Sequence, residues 1–137
     1  LDVAAFDPDR EQVLANARRL GVSAIVVPGI HAAGWPGLLA LCARHAELYP
    51  ALGLHPIYLD QHSQADLDEL ESSLDRDRPL AVGEIGLDYH YDHSPRDVQQ
   101  KVFRQQLEDA GELNLPVIIH SREAKKDTLR IVSECCQ

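Results

Sequence analysis

The chain has 137 residues, a length that suits one ordinary domain. Apolar residues make up 45% and charged residues 26%, which argues against a disordered chain, and no apolar run approaches the roughly 18 to 20 residues of a membrane-spanning helix. Thirteen basic against 22 acidic residues give a net charge of −9, which disfavours tight binding to duplex DNA through its phosphates. A nuclease is not excluded, because bound divalent metals reverse the local sign of an acidic pocket.

Short apolar runs alternate with stretches of helical spacing along the chain. Runs typical of strands lie at 23–27, 49–54, 80–87 and 115–119. Around them, apolar residues recur every three or four positions, as one buried helix face requires. This pattern predicts the order αβαβαβαβα. The Asp7-Pro8 and Ser94–Asp97 segments are expected to cap helix starts with their side chains.

The predicted strands are nearly continuous in apolar character, which is typical of a parallel sheet covered by helices. Their ends, near Val27, Leu54, Leu87 and Ile119, lie 27, 33 and 32 residues apart. A (β/α)8 barrel of about 250 residues has a period of roughly 31. Four units make half a barrel, but an open doubly wound sheet of four strands also fits this length. Spacing alone does not choose between the two.

Ionisable residues lie at or near three predicted strand ends, where parallel α/β proteins assemble their sites. His55 follows one strand, Glu84 lies within the next, and His120 and Arg122 follow a third. A carboxylate inside a buried strand loses hydration worth several kcal/mol unless a cation, a hydrogen-bond network or a proton compensates. Glu84 is therefore either a structural residue paired with Lys or Arg, or a metal ligand or acid/base group. With the His120 imidazole it suits zinc or manganese.

Other polar residues near the predicted strand ends have two possible roles each. His55 precedes Pro56, so it marks a turn or contacts a ligand. Asp88 orients a ligand or caps its loop, and Arg122 clamps a phosphate or is solvated in a helix. The rings of residues 89–93 could stack on bases, although such rings are common in loops.

Three further histidines and three cysteines are expected to have no site role. His31, His45 and His62 do not follow a strand, and Cys42, Cys135 and Cys136 form an odd count without zinc-site spacing. We expect reduced thiols. The acidic amino end does not resemble a secretion signal, so a cytoplasmic location is expected.

Three blocks together resemble the TatD family of metal-dependent deoxyribonucleases: ALGLHP at 51–56, VGEIGLDY at 82–89 and LPVIIHSR at 115–122. They follow the order and spacing of that family, and the segment 103–107 is similar too. The resemblance implies a (β/α)8 TIM-barrel type of α/β fold. The chain would form a partial barrel of about four parallel strands with flanking helices, and residues 1–137 would be a single partial domain of this type.

The resemblance also implies two divalent metal ions (Mg, Mn or Zn) and hydrolysis of DNA phosphodiester bonds, at ends or in single strands, without a membrane partner. By matching, Glu84 is the catalytic, metal-bridging carboxylate and His120 is a metal ligand. His55 and Arg122 match pocket positions that contact substrate.

The family's first-strand His-x-His pair and its later half, with a further histidine ligand and an aspartate, have no counterpart here. We therefore expect this chain to be an internal piece of a longer protein. Two alternatives stay open. One is an amidohydrolase acting on small amide, ester or aminoacyl bonds, and the other is an inactive protein that binds a partner through an open strand edge or a single metal.

Overall fold

A computed structural model describes residues 1–61 and 63–135, and for residues 60 and 61 it describes the backbone alone. The predictions for His62 and Cys136 lie outside this range. Helices and strands alternate in the predicted order: α1 (Arg10–Arg19), β1 (Ile25–Pro28), α2 (Trp35–Arg44), β2 (Leu48–Leu52), α3 (Gln64–Asp77), β3 (Ala81–Asp88), α4 (Arg96–Glu112), β4 (Val117–Arg122) and α5 (Lys125–Cys135). None of the described helices has the length and apolar character needed to cross a membrane.

The four strands form one parallel sheet in the order β1-β2-β3-β4. Each strand therefore lies beside the next one in the chain, and the order never reverses. A doubly wound sheet requires such a reversal, whereas consecutive order is the topology of a barrel wall. The topology thus excludes the open doubly wound alternative.

The core consists of apolar side chains from the helices that pack on the sheet. Every helix contributes at least one apolar side chain that is at most 1% exposed, namely Leu14, Leu38, Leu70, Phe103 and Ile131 from α1 to α5 in turn. The strands contribute Leu52, Val82, Ile85 and Leu87. Each such side chain stabilises the fold by about 1.5–3 kcal/mol through its removal from water. This packing fixes the strands whose ends carry the polar residues.

The predicted helix caps are wrong at both positions. Helix α1 begins after Asp9 and α4 begins after Pro95, and neither N-cap residue makes a side-chain capping bond. The Asp7 carboxylate binds Arg10 Nη2 at 2.7 Å instead. A capping box is present at the start of α3, between Ser63 and Asp66.

Two buried glutamines of α4 hold the carboxyl ends of β2 and β3. Gln106 Oε1 accepts the Leu54 amide at 2.7 Å, and its Nε2 donates to the Leu54 carbonyl. Seven residues earlier, Gln99 Oε1 accepts the Asp88 amide at 2.8 Å, and its Nε2 donates to the carbonyls of Asp88 and Ser94. A spacing of seven places both side chains on one helix face. One helix therefore fixes two neighbouring strand ends.

Replacing Gln106 by Leu is expected to destabilise the full-length protein by about 1–3 kcal/mol, because the buried Leu54 amide and carbonyl lose their partner while the volume is nearly kept. The free energy of unfolding from urea denaturation measures this. Gln12→Leu is the matched control. Gln12 is exposed and bonds Asn16, so its loss should stay within about 0.5 kcal/mol. Equal losses of stability at both positions would contradict the role of Gln106 in holding the end of β2.

Gly86 pairs with His120 where β3 runs beside β4. Its φ is +142°, and a Cβ there would lie 2.0 Å from the His120 carbonyl oxygen. Only glycine accepts both that conformation and that proximity.

Gly86→Ala is therefore expected to lower the stability of the full-length protein by at least about 1–3 kcal/mol, the cost of an overpacked core, with additional backbone strain. Thermal unfolding provides the measurement. Gly111→Ala in α4 serves as the control, since a Cβ there meets nothing within 4 Å and alanine favours the helix by up to about 1 kcal/mol. An unchanged melting temperature for Gly86→Ala would refute this account of the strand contact.

Candidate metal centre

The carboxyl ends of β2, β3 and β4 bring His55, Glu84 and His120 together. One ligand atom from each lies within 4.8 Å of the others, and the two imidazole rings have centroids 4.4 Å apart. Glu84 lies within an irregularity in the β3–β4 register between Val82 and Ile85, and its amide donates to the Gly29 carbonyl at 3.2 Å. Such irregularities interrupt strand alternation and re-aim side chains. The predicted gathering of polar residues at this edge of the sheet is thus present.

Asp88 anchors the His120 ring. It is 1% exposed, and its Oδ2 lies 2.7 Å from His120 Nε2. Its Oδ1 accepts the amides of His90 and Tyr91 at 3.1 and 2.9 Å. Burial opposes ionisation of this carboxyl, but the hydrogen bonds from the Tyr91 amide, the His120 ring and the His90 amide outweigh it, so the pKa of Asp88 lies below its ordinary value. Because Asp88 is an anion, His120 Nε2 is the donor.

The other ring nitrogen of His120 is directed at Glu84. Nδ1 lies 3.2 Å from Glu84 Oε1, so the space between them suits one positive charge, either a proton or a metal cation. A metal-binding histidine commonly donates its second N–H to a carboxylate, which fixes the tautomer and makes the ligating nitrogen more basic. His120 has this arrangement through Asp88. One imidazole and one carboxylate therefore fit zinc, manganese or a similar divalent ion.

His55 has a different hydrogen-bonding state from His120. Its Nδ1 accepts the Ile57 amide at 3.1 Å, so the proton of the neutral ring is on Nε2. That Nε2 lies 3.7 Å from Glu84 Oε1. A protonated nitrogen does not bind a metal, but it donates well to an anionic oxygen. In this tautomer His55 is suited to contact a substrate, whereas serving as a ligand would require breaking the bond to Ile57.

Arg122 lies at the rim rather than among these three residues. It pairs with Asp88 in the β3–β4 register, and its guanidinium carbon is 4.9 Å from the centroid of the Tyr91 ring. In the part of the chain that the structure covers, no carboxylate forms an ion pair with this guanidinium. The side chain remains available to an anion.

Of the histidines expected to be structural, His31 and His45 stand apart from the site. His31 Nδ1 accepts the Gly34 amide at 3.0 Å, and His45 Nε2 lies 3.2 Å from Glu11 Oε1. Sequence reasoning left Asp88 with two readings, and the structure gives it both, since one carboxylate orients His120 and caps the loop that follows β3. It missed Gln99 and Gln106, for which only their spacing of seven was a signal.

The family model described as "TatD related DNase" matches residues 1–136. The chain belongs to this family. It is 36% identical over 134 residues to YabD of Bacillus subtilis, described as an uncharacterized metal-dependent hydrolase, covering 98% of this chain and 52% of that relative. It is 35% identical over 120 residues to the 3′-5′ ssDNA/RNA exonuclease TatD of a Pantoea species, covering 87% of this chain and 46% of that relative.

A crystal structure of YjjV, a TatD homologue from Escherichia coli K12, superimposes with a TM-score of 0.92 at 38% sequence identity, covering 98% of this chain and 52% of that one. The predicted partial TIM barrel is therefore confirmed. The chain spans about half the length of the curated relatives that it matches.

Asp88→Asn in the full-length TatD-family protein is expected to weaken divalent-metal binding by about 10- to 100-fold. An asparagine has one acceptor oxygen, so it cannot accept both from the loop amides and from His120, and its NH2 group must face one of these donors. Titration calorimetry with Mn²⁺ or Zn²⁺ measures the affinity. Asp92→Asn, an exposed change in the same loop, is the control. Equal affinity in the two variants would show that Asp88 does not position His120.

Proposed function

We propose that the protein is a divalent-metal-dependent hydrolase of DNA phosphodiester bonds that acts on strand ends or single strands. The observation that carries this proposal is the Asp88–His120–Glu84 arrangement at the carboxyl ends of β3 and β4, in a chain of the TatD-related DNase family. A carboxylate-oriented imidazole facing a second carboxylate is a preformed ligand pair for a divalent cation.

In this proposal Glu84 and His120 Nδ1 would hold the divalent metal. When bound, two divalent ions lower the pKa of water and stabilise both oxygens of an in-line displacement at phosphorus. Glu84 is assigned as the catalytic carboxylate, because it would be a ligand of the metal that activates water. Asp88 is a positioning residue that acts through His120.

His55 and Arg122 supply contacts to the phosphate in this proposal. The Nε2–H of His55 lies on the same side of the sheet as Glu84 and would donate to a non-bridging phosphate oxygen. Arg122 would bind the neighbouring phosphate with two parallel N–H groups from the rim. The Arg122 guanidinium is a local positive charge that would offset part of the net charge of −9, which otherwise repels a polyanion.

The substrate class is proposed from the family and from the description of one relative. The Pantoea relative is described as an exonuclease of single-stranded DNA and RNA, which supports a strand end or an unpaired strand as substrate. A cytoplasmic location is proposed as well, since both described cysteines are free thiols, as in a reducing compartment.

Glu84→Gln in the full-length protein is expected to lower the rate of cleavage of a single-stranded oligodeoxynucleotide with Mn²⁺ by about 100-fold or more, the scale of losing one electrostatic contact to the transition state. The amide keeps the volume of the carboxylate but removes its charge. Addition of EDTA should abolish cleavage by the wild-type protein, and fresh Mn²⁺ should restore it. Cleavage is followed by gel electrophoresis of a labelled strand.

Glu112→Gln is the control, because Glu112 is exposed at the end of α4 farthest from the strand ends that carry the site. An aminoacyl ester is assayed in parallel. Turnover of the ester without cleavage of the oligonucleotide would favour the amidohydrolase alternative. Full activity in Glu84→Gln would refute the assignment, and a protein that binds no metal would favour the partner-binding alternative.

A further inference from the structure

The loop after β3 presents two stacked rings beside the metal centre. The rings of Tyr91 and His93 are parallel within 5°, with centroids 5.5 Å apart, and Tyr91 is 50% exposed. We call these two side chains the aromatic platform. A centroid separation larger than the ~3.5–4.0 Å of close carbon contact means that the rings overlap only in part. Each ring therefore leaves part of its face open.

Neighbouring side chains hold the platform in place. The His90 ring meets Tyr91 edge to face at 5.0 Å and 81°, and His90 Nδ1 lies 3.0 Å from Glu123 Oε1. The Arg122 guanidinium lies 4.9 Å from the Tyr91 centroid, within the range of a cation–π contact. The loop and the end of β4 thus fix the Tyr91 ring without burying it.

One carboxylate connects the platform to the metal centre. Asp88 Oδ1 accepts the Tyr91 amide at 2.9 Å, while its Oδ2 holds His120 at 2.7 Å. On β4, His120 and Arg122 are two residues apart and therefore project from the same face of the strand. Passing from the site to the rim, a bound strand would meet an imidazole, a guanidinium and then the half-exposed ring of Tyr91.

We propose that the aromatic platform stacks on a nucleobase of the substrate strand, next to a phosphate held by Arg122. Every base has a π-face, so stacking tolerates all sequences, and single-strand-binding proteins combine such rings with cations along the backbone. A paired base in the interior of a duplex has its faces covered, so the platform selects unpaired strands or ends. This inference rests on the proposed function, since it assumes that the substrate is a nucleic acid strand.

The test measures binding of a labelled single-stranded oligodeoxyadenylate to the full-length protein in EDTA, where cleavage is blocked, by fluorescence anisotropy. The comparison strand carries abasic residues at both ends. Wild-type protein is expected to bind the strand with bases roughly 5- to 10-fold more tightly. Tyr91→Phe, which keeps the ring, should retain that preference, whereas Tyr91→Leu, which keeps apolar bulk, and Tyr91→Ala should lose it. Thermal unfolding checks that all variants are folded.

Cleavage with Mn²⁺ is measured in parallel, so that the two proposals fail separately. An equal preference in all variants, or none in the wild type, would overturn the platform, while cleavage by the wild type would leave the proposed function standing. A preference that depends on Tyr91 without cleavage would support the platform and refute the phosphodiesterase. If the Leu and Ala variants lose the binding preference and the wild-type protein cleaves the strand, the result supports both the platform and the proposed function.

Discussion

The contact between Asp88 and His120 determines the rest of the site. A buried carboxylate of low pKa requires hydrogen-bond donors. The Asp88 carboxylate accepts from three, two amides in the loop after β3 and the ring of His120. The ring is thereby committed to donate from Nε2, and Nδ1 becomes the nitrogen that faces Glu84. The orientation of the His120 ring and the conformation of the loop therefore have one cause, the Asp88 carboxylate.

The elements around this contact restrict it in turn. Gly86 lets β3 approach the His120 backbone, because a Cβ in that position would collide with the carbonyl oxygen. Gln99 binds both backbone polar groups of Asp88, so the residue that orients the imidazole is itself fixed from the helix side. The main chain of Asp88 is held by Gln99, and its side chain is held by His120 and the loop amides. Rotation of the residue would therefore break hydrogen bonds to both sets of partners.

The sequence was sufficient to predict the alternation of elements, the parallel sheet and the convergence of Glu84 and His120, because all three follow from the period of apolar residues and from strand direction. It was insufficient for contacts that link distant positions. The predicted caps failed because the Asp7 carboxylate binds Arg10, and because α4 begins after Pro95, whose side chain has no hydrogen-bond acceptor. Gln106 reads as an ordinary helix residue until Leu54, 52 positions earlier, is placed beside it. The tautomer of His55 likewise depends on the turn that brings the Ile57 amide to its ring.

The two glutamines of α4 have a mechanical consequence. An α-helix is stiff over the two turns that separate Gln99 from Gln106, and each is bonded to the end of a different strand. A shift of α4 along its axis would therefore carry the segment before His55 and the segment containing Asp88 in the same direction and by the same amount. The spacing between His55 and Asp88 is thus set by a single rigid helix. Thermal motion of this helix would displace the two strand ends together, rather than opening a gap between them.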